Sequence, residues 1–444
     1  MKRTPWTRAA AVGVAALVTA GMGASSAAAA TLDSGLWWFD RGNIQTAQDA
    51  GLDGAGVTVA IIDSQINPDV VGLRGANIEV VEPSYCYDAS GKPYAATSTD
   101  YLASSHGTNV ASMVLGTGDS PNDGAPVKGV APGAKVLYYS GSGIRDGVVG
   151  GIWDADEECL LENGEVRDDE GRTGMGRAIS DAVDAGADII SVSADGATGI
   201  EEEVAKAYAA GVVVLGAMSN DSALSGYPAA LNGAVAVQAF GEDGHIQNGP
   251  SGAPNVSDDV VIAGPGIDLL LQGTENSWDE QRLGSGTSFA TPIVAGMLAV
   301  VKQKYPDATG AQLIQSLLHN TGTKGEHDPE WNNAVGYGAA SLTGMLAVDP
   351  TKYPDVNPLF DSEDPLAVPN QNQVDEAASA LGVVTPSPAS TPDSPSASAS
   401  PLLPWLIGGG AILILLIIGA VVLTITLTRN SRRKITEQGG NNGR

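Results

Sequence analysis

Five short runs of β-branched and apolar residues recur through the middle of this 444-residue chain, and their alternation with helical segments narrows the choice of fold. The runs are "VTVAII" (57–62), "AKVLYY" (134–139), "DIISVS" (188–193), "VVVLGA" (212–217) and "AVAVQA" (234–239). Between them lie "HGTNVASMVLG" (106–116), "GMGRAISDAVDAGA" (174–187) and "IEEEVAKAYAAG" (200–211). In the second of these segments Met175, Ala178, Ile179, Ala182 and Val183 fall on one helical face. Strands that are apolar on both faces and separated by helices predict a doubly wound, mostly parallel α/β sheet covered by helices on either side. Functional residues in such sheets gather beyond the carboxyl ends of the strands. The residues that follow each run are therefore the candidates.

The two ends of the chain are built differently. Residues 1–30 have a basic start, an apolar middle and an alanine-rich end that offers an Ala-x-Ala cleavage site, as a signal peptide does. After "VGYGAASLTGML" (335–346) helical periodicity fades. Residues 349–403, which include "TPSPASTPDSPSASASP", have the composition of an extended stalk that cannot bury a core. Within residues 404–428, Trp405 to Leu427 is a run of 23 residues without a charge, enough to cross a hydrocarbon core of about 30 Å. "RNSRR" and Lys434 follow, so the positive-inside rule places the tail, 429–444, in the cytoplasm and the body outside. The expected product is a cell-membrane protein with one span and an extracytoplasmic domain over residues 31–348.

The formal net charge of −28 resides in that body, because both ends are basic. Phosphates would be repelled, which excludes nucleic acid as a partner. An acidic, glycine-dotted stretch at about 145–172 interrupts the strand–helix alternation and reads as a surface insertion. It holds Cys159, and Cys86 is the only other cysteine. In an exported domain two cysteines are expected to pair, free buried thiols being the alternative. With four histidines in the chain, no metal site and no cofactor are expected.

Three residues stand out at the expected places. Asp63 directly follows the first strand run, and His106 opens a helical segment. Ser288 heads "GSGTSFATPIVAGMLAVV" (284–301), where two glycines and two hydroxyl residues run into an apolar helix. Pro292 sits a turn inside that helix and forfeits a backbone hydrogen bond. Taken singly, each has an ordinary explanation: a turn former, an exposed histidine, a helix cap. Together, in the order Asp…His…Ser, they resemble the subtilisin-like serine proteases, the subtilases. "VAIIDSQINPD" (59–69) resembles the family's aspartate motif, "HGTNVAS" (106–112) its histidine motif and "GTSFATP" (286–292) its serine motif. "GVVVLGAMSND" (211–221) resembles the strand that leads to the family's oxyanion asparagine, here Asn220, while "GVAPGAKV" (129–136) and "ISVSADG" (190–196) resemble two further strands. The resemblance covers roughly residues 36–346.

It implies a serine endopeptidase acting on polypeptides through an acyl-enzyme. His106 takes the proton of Ser288 as it attacks, Asp63 orients the imidazole, and the Ser288 N–H with the Asn220 amide receives the oxyanion. Ser193, Ala194, Asp195 and Gly196 map onto a wall of the pocket for the residue before the scissile bond. Asp195 replaces a glycine there; it either favours a basic substrate residue or is a solvated loop acid. Other departures are Gln65 for a glycine, Asn67 where histidine is common, and Ser112 and Ser219 for glycines. A left-handed backbone at position 65 would cost glutamine about 1 kcal/mol or more and could displace Asp63.

Only 32 residues lie between Ala30 and Asp63, little room for the folded inhibitory prodomain of many subtilases. With the stalk, span and tail, this layout is similar to the mycosins, membrane-anchored subtilases associated with type VII secretion. That similarity implies secretion-system components as partners. Two functional readings follow: an active tethered endopeptidase, or a catalytically weak scaffold of a secretion assembly, which Gln65 favours.

Overall fold

The computed structural model describes residues 32–88, 90–142, 159–194, 198–221 and 224–383. The leader, the distal stalk, the uncharged run at 405–427 and the basic tail lie outside these residues. Within them no helix is long and apolar enough to cross a membrane.

The described strands of the main sheet are β1 (Thr58–Asp63), β2 (Ile78–Val81), β3 (Lys135–Ser140), β4 (Ile189–Val192), β5 (Val213–Ala217), β6 (Val235–Phe240) and β7 (Ile262–Pro265). All pair in parallel, in the order β2-β3-β1-β4-β5-β6-β7. An antiparallel hairpin, β8 (Leu269–Gln272) and β9 (Gln281–Gly284), stands apart from this sheet. The helices are α1 (Trp37–Arg41), α2 (Ile44–Asp49), α3 (Tyr101–Leu115), α4 (Gly174–Asp184), α5 (Glu201–Ala209), α6 (Thr287–Lys304), α7 (Gly310–His319), α8 (Leu342–Ala347) and α9 (Gln371–Leu381).

The expected doubly wound architecture is present, and the strands show why. Side chains on a strand alternate between faces. Val59 and Ile61 of β1 join the core that includes Val110 of α3 and Ile293 of α6. Ala60 and Ile62 join a second core with Ile179 of α4 and Val204 of α5. All four β1 side chains are fully buried, so a continuous apolar run is what a central strand requires. After β1 the chain builds β2 and β3 on one side, then crosses to β4 on the other. The carboxyl end of β1 is therefore the switch point, where a crevice opens.

Two expectations need correction. Helix α3 begins at Tyr101, capped by the Asp100 carboxylate on the Leu102 and Ala103 N–H groups, so His106 lies in its second turn and does not open it. Residues 349–383, expected as the near part of the stalk, fold back onto the body. Side-chain amides of the body hold them: Gln315 donates to the Val356 carbonyl at 3.0 Å, and Asn232 donates to those of Asp361 and Pro369 at 3.1 and 3.0 Å. Helix α9, opened by an Asn370–Gln373 capping box, packs on α5. A strap fastened by polar bonds to its backbone has few apolar residues, which is why it reads as stalk. The domain boundary moves from 348 to at least Val383.

Candidate active site

Asp63 is the last residue of β1, in register with Ser140 of β3, and its side chain is almost wholly buried. Its Oδ1 lies 2.8 Å from Nδ1 of His106. The same oxygen accepts the Ser64 N–H at 2.7 Å and the Ser64 hydroxyl at 3.0 Å. The imidazole, about a quarter exposed, stacks at a tilt 5.7 Å from the ring of Phe289, the residue after Ser288. Carboxylate and imidazole are thus paired beside the first turn of α6.

Glycine at 107 makes this approach possible. The Tyr138 hydroxyl reaches from β3 to donate to the Ser64 carbonyl at 2.9 Å. Burial first, then the charge of Asp63, holds that phenol well above its ordinary pKa, so it remains a protonated donor. A Cβ on residue 107 would stand 1.8 Å from the phenol oxygen and 2.7 Å from the Gln65 carbonyl. Gly107→Ala is expected to lower unfolding free energy by about 1–3 kcal/mol, the cost of an overpacked core. Denaturant melts of the two proteins measure this, and coincident midpoints would refute it.

The departures at 65 and 112 are accommodated. Among the described residues only Asn43, Asn122 and Asp268 are non-glycines with left-handed φ, so Gln65 sits in unstrained backbone. Its side chain turns inward and donates to the Ala95 carbonyl at 2.7 Å. Ser112 is buried and donates to the Thr108 carbonyl one turn back at 2.8 Å. The reason for expecting a displaced Asp63 is gone.

Ser288 is the second residue of α6 and is half-buried. Pro292 explains the odd start of this helix. The residue whose carbonyl an N–H at 292 would meet is Ser288, and proline has no N–H to give. Ser193, just beyond β4, supplies the missing donor: its hydroxyl bonds the Ser288 carbonyl at 2.8 Å. Ser193 was expected as a pocket-wall residue, but its side chain is spent on holding the serine helix. Ala194 is half-buried against the α4–α5 core, and Asp195 and Gly196 lie outside the described residues.

Asn220 stands beyond β5 with its side chain against the same turn. Its Oδ1 accepts the Thr287 N–H at 3.0 Å and the Gln247 side-chain amide at 2.9 Å. Donors on the oxygen leave the Nδ2 group on the other edge of the planar carboxamide, pointing away from Thr287 and Gln247. Among the described residues nothing accepts from the Ser288 N–H. The structure therefore brings Asp63 to His106, and Ser288 to both Ser193 and the neighbourhood of Asn220.

The insertion also reaches this region. Cys86 and Cys159 form the expected disulfide. Thirteen residues past Cys159, Arg172 bonds Asp168, which also receives Arg177 of α4. Arg167 donates to the carbonyl and hydroxyl of Thr198, at the far end of the loop that starts with Ser193. Sequence reasoning missed Arg167, Tyr138 and Gln247, because none lies in a motif and each works by a long-range contact.

Comparison with known proteins agrees with the fold. The family model described as the Subtilase family matches residues 54–338. A thermostable alkaline protease of Halalkalibacterium halodurans is 30% identical over 314 residues, covering 69% of this chain and 73% of the relative. The crystal structure of fervidolysin from Fervidobacterium pennivorans, a keratinolytic enzyme related to subtilisin, superposes with a TM-score of 0.51 at 26% identity. That match covers 68% of this chain and 44% of fervidolysin. The crystal structure of MycP1 from the ESX-1 type VII secretion system gives a TM-score of 0.51 at 22% identity over 73% of this chain and 88% of that one, a likeness of fold. Motif order, sheet topology and family match agree, and the chain belongs to the subtilase family of serine endopeptidases.

Proposed function

We propose that this subtilase is an exported, membrane-anchored endopeptidase that works through Asp63, His106 and Ser288. The 2.8 Å bond between Asp63 and His106, at the end of the central strand and beside the head of α6, carries the reading. Ser288 attacks the scissile carbonyl as His106 takes its proton. The tetrahedral oxyanion then receives the Ser288 N–H and the Asn220 amide, and His106 returns the proton to the leaving amine. Water repeats the sequence on the acyl-enzyme. The loop begun by Ser193 and Ala194 bounds the pocket for the residue before the scissile bond.

The signal-like leader, the uncharged run at 405–427 and the basic tail support tethering at the outer face of the membrane. The same layout, with a fold shared with MycP1, supports work on exported polypeptides near a secretion assembly. Unstrained backbone at Gln65 removes the residue-level argument for a weak scaffold. Labelling of the full-length protein with a fluorophosphonate tests the reading, since only an activated serine reacts readily. One adduct is expected, on the peptide that contains Ser288; an unlabelled native protein, or an adduct elsewhere, would overturn it.

A further inference from the structure

We propose that Gln247 is a positioning residue that, together with the Thr287 N–H, holds the Asn220 carboxamide with its oxygen turned away from the oxyanion and its NH₂ edge towards it. This rests on the reading of Asn220 as an oxyanion donor. Three donor atoms surround Oδ1 of Asn220: the Thr287 N–H at 3.0 Å, the Gln247 amide at 2.9 Å and the Thr287 hydroxyl at 3.1 Å. The hydroxyl has one proton and lies closer, 2.6 Å, to the Met218 carbonyl. That carbonyl takes the proton, so Oδ1 is held by two hydrogens, one of them from Gln247.

The direction of the amides follows from the backbone. An N–H can only donate, so the Asn220 atom that faces Thr287 is its oxygen, and the Gln247 atom that faces that oxygen is its nitrogen. This leaves Oε1 of Gln247 buried without a hydrogen-bond partner among the described residues. The direction of the Gln247 amide is thus set by its contact with Asn220 and not by a partner for its own oxygen. Turning the Gln247 amide over would place oxygen against oxygen.

Gln247 is itself rigidly seated. Its N–H bonds the Ala239 carbonyl of β6 and its carbonyl accepts the Asn255 N–H, both at 2.9 Å. The Asn255 side chain returns to the Ser219 carbonyl at 2.8 Å, and the buried Gln238 amide holds the Asn255 carbonyl at 2.6 Å. One polar chain thus runs from β6 through Asn255 and Gln247 to residues 219–220. A half-turn of the Asn220 amide would aim its oxygen at the substrate oxyanion, replacing attraction with repulsion.

The test is steady-state kinetics of the full-length protein on a chromogenic peptide p-nitroanilide, with Asn220→Ala as reference. Loss of such an asparagine lowers kcat about 10²–10³-fold, a figure measured on subtilisin itself. Gln247→Leu removes one hydrogen bond and is expected to lower kcat about 2- to 10-fold. Gln247→Glu sets a carboxylate against Oδ1, which either pushes the Asn220 oxygen off its seat or turns its NH₂ against the Thr287 N–H; both displace the donor from the oxyanion, and kcat is expected to fall about 10²-fold. KM stays within about twofold in both, because the ground-state carbonyl is not yet an oxyanion. In the Asn220→Ala background neither change lowers kcat further. Gln247→Leu adds no charge and keeps the test readable if the glutamate variant fails to fold. Unchanged kcat in a folded Gln247 variant, or the same fractional loss with and without Asn220, would overturn the inference alone. Full kcat in Asn220→Ala would instead remove the oxyanion reading beneath it.

Discussion

Ser288→Ala is expected to lower kcat by about 10⁶-fold while leaving the fold and peptide affinity intact, a magnitude known from subtilisin and not from this chain. The bonds that hold residue 288 in place use its backbone. The Ser193 hydroxyl meets the Ser288 carbonyl, and the neighbouring Thr287 N–H goes to Asn220. Neither depends on the serine side chain, and that half-buried hydroxyl supports no core packing. Alanine therefore deletes the nucleophile and little else. The turnover that remains comes from the oxyanion donors acting on water, and it should still exceed the uncatalysed rate by about 10³–10⁴. The kcat and KM on one peptide substrate, with melting midpoints alongside, measure both halves of the expectation. Turnover within tenfold of wild type would place the chemistry elsewhere; a large drop in melting midpoint would mean that the hydroxyl is structural.

The central strands were legible because burial on both faces demands mostly apolar residues, and β1, β3, β4, β5 and β6 show them, with only the buried Ser191 of β4 and Gln238 of β6 as polar residues inside the runs. Strand β2 is an edge of four residues with half-exposed side chains, so its composition is mixed. Strand β7, Ile262–Pro265, contains glycine and proline, which read as a turn. Its Gly264 is needed because a Cβ there would stand 2.8 Å from Val294 and 3.1 Å from the Ala290 carbonyl of α6. The site was legible to the extent that its chemistry sits in contiguous motifs. Asp63, His106, Ser288 and Asn220 could be named from local context. What holds them could not be: Tyr138, Ser193 and Gln247 act from 74, 95 and 27 residues away. Pro292 was a visible signal for one of these contacts. A proline inside a helix leaves a carbonyl without its donor, so some side chain must supply one.

Asp63→Asn should be milder than Asp63→Ala, and the difference reports the tautomer of His106. Removal of the corresponding aspartate in subtilisin costs about 3 × 10⁴ in kcat, and Asp63→Ala is expected near that value. An asparagine could fail in two ways, by losing the negative charge or by presenting its NH₂ to the imidazole and reversing the tautomer. Here the second route is blocked. The atom of residue 63 that meets His106 Nδ1 also meets the Ser64 backbone N–H at 2.7 Å, and a backbone donor cannot accept a hydrogen bond from an amide. The asparagine oxygen keeps that place and the imidazole keeps its proton on Nδ1, which leaves Nε2 free to act as the base. The charge is lost, and the NH₂ that replaces the buried Oδ2 meets no acceptor among the described residues, a cost to stability and not to the tautomer. At about 4 Å and an effective dielectric constant of about 20, that charge stabilises the imidazolium by about 4 kcal/mol, or about 10³ in rate. Asp63→Asn should therefore retain at least tenfold more activity than Asp63→Ala at the same pH. Equal losses in the two variants would mean that the amide has turned despite Ser64, and that the backbone N–H does not hold the carboxamide in place.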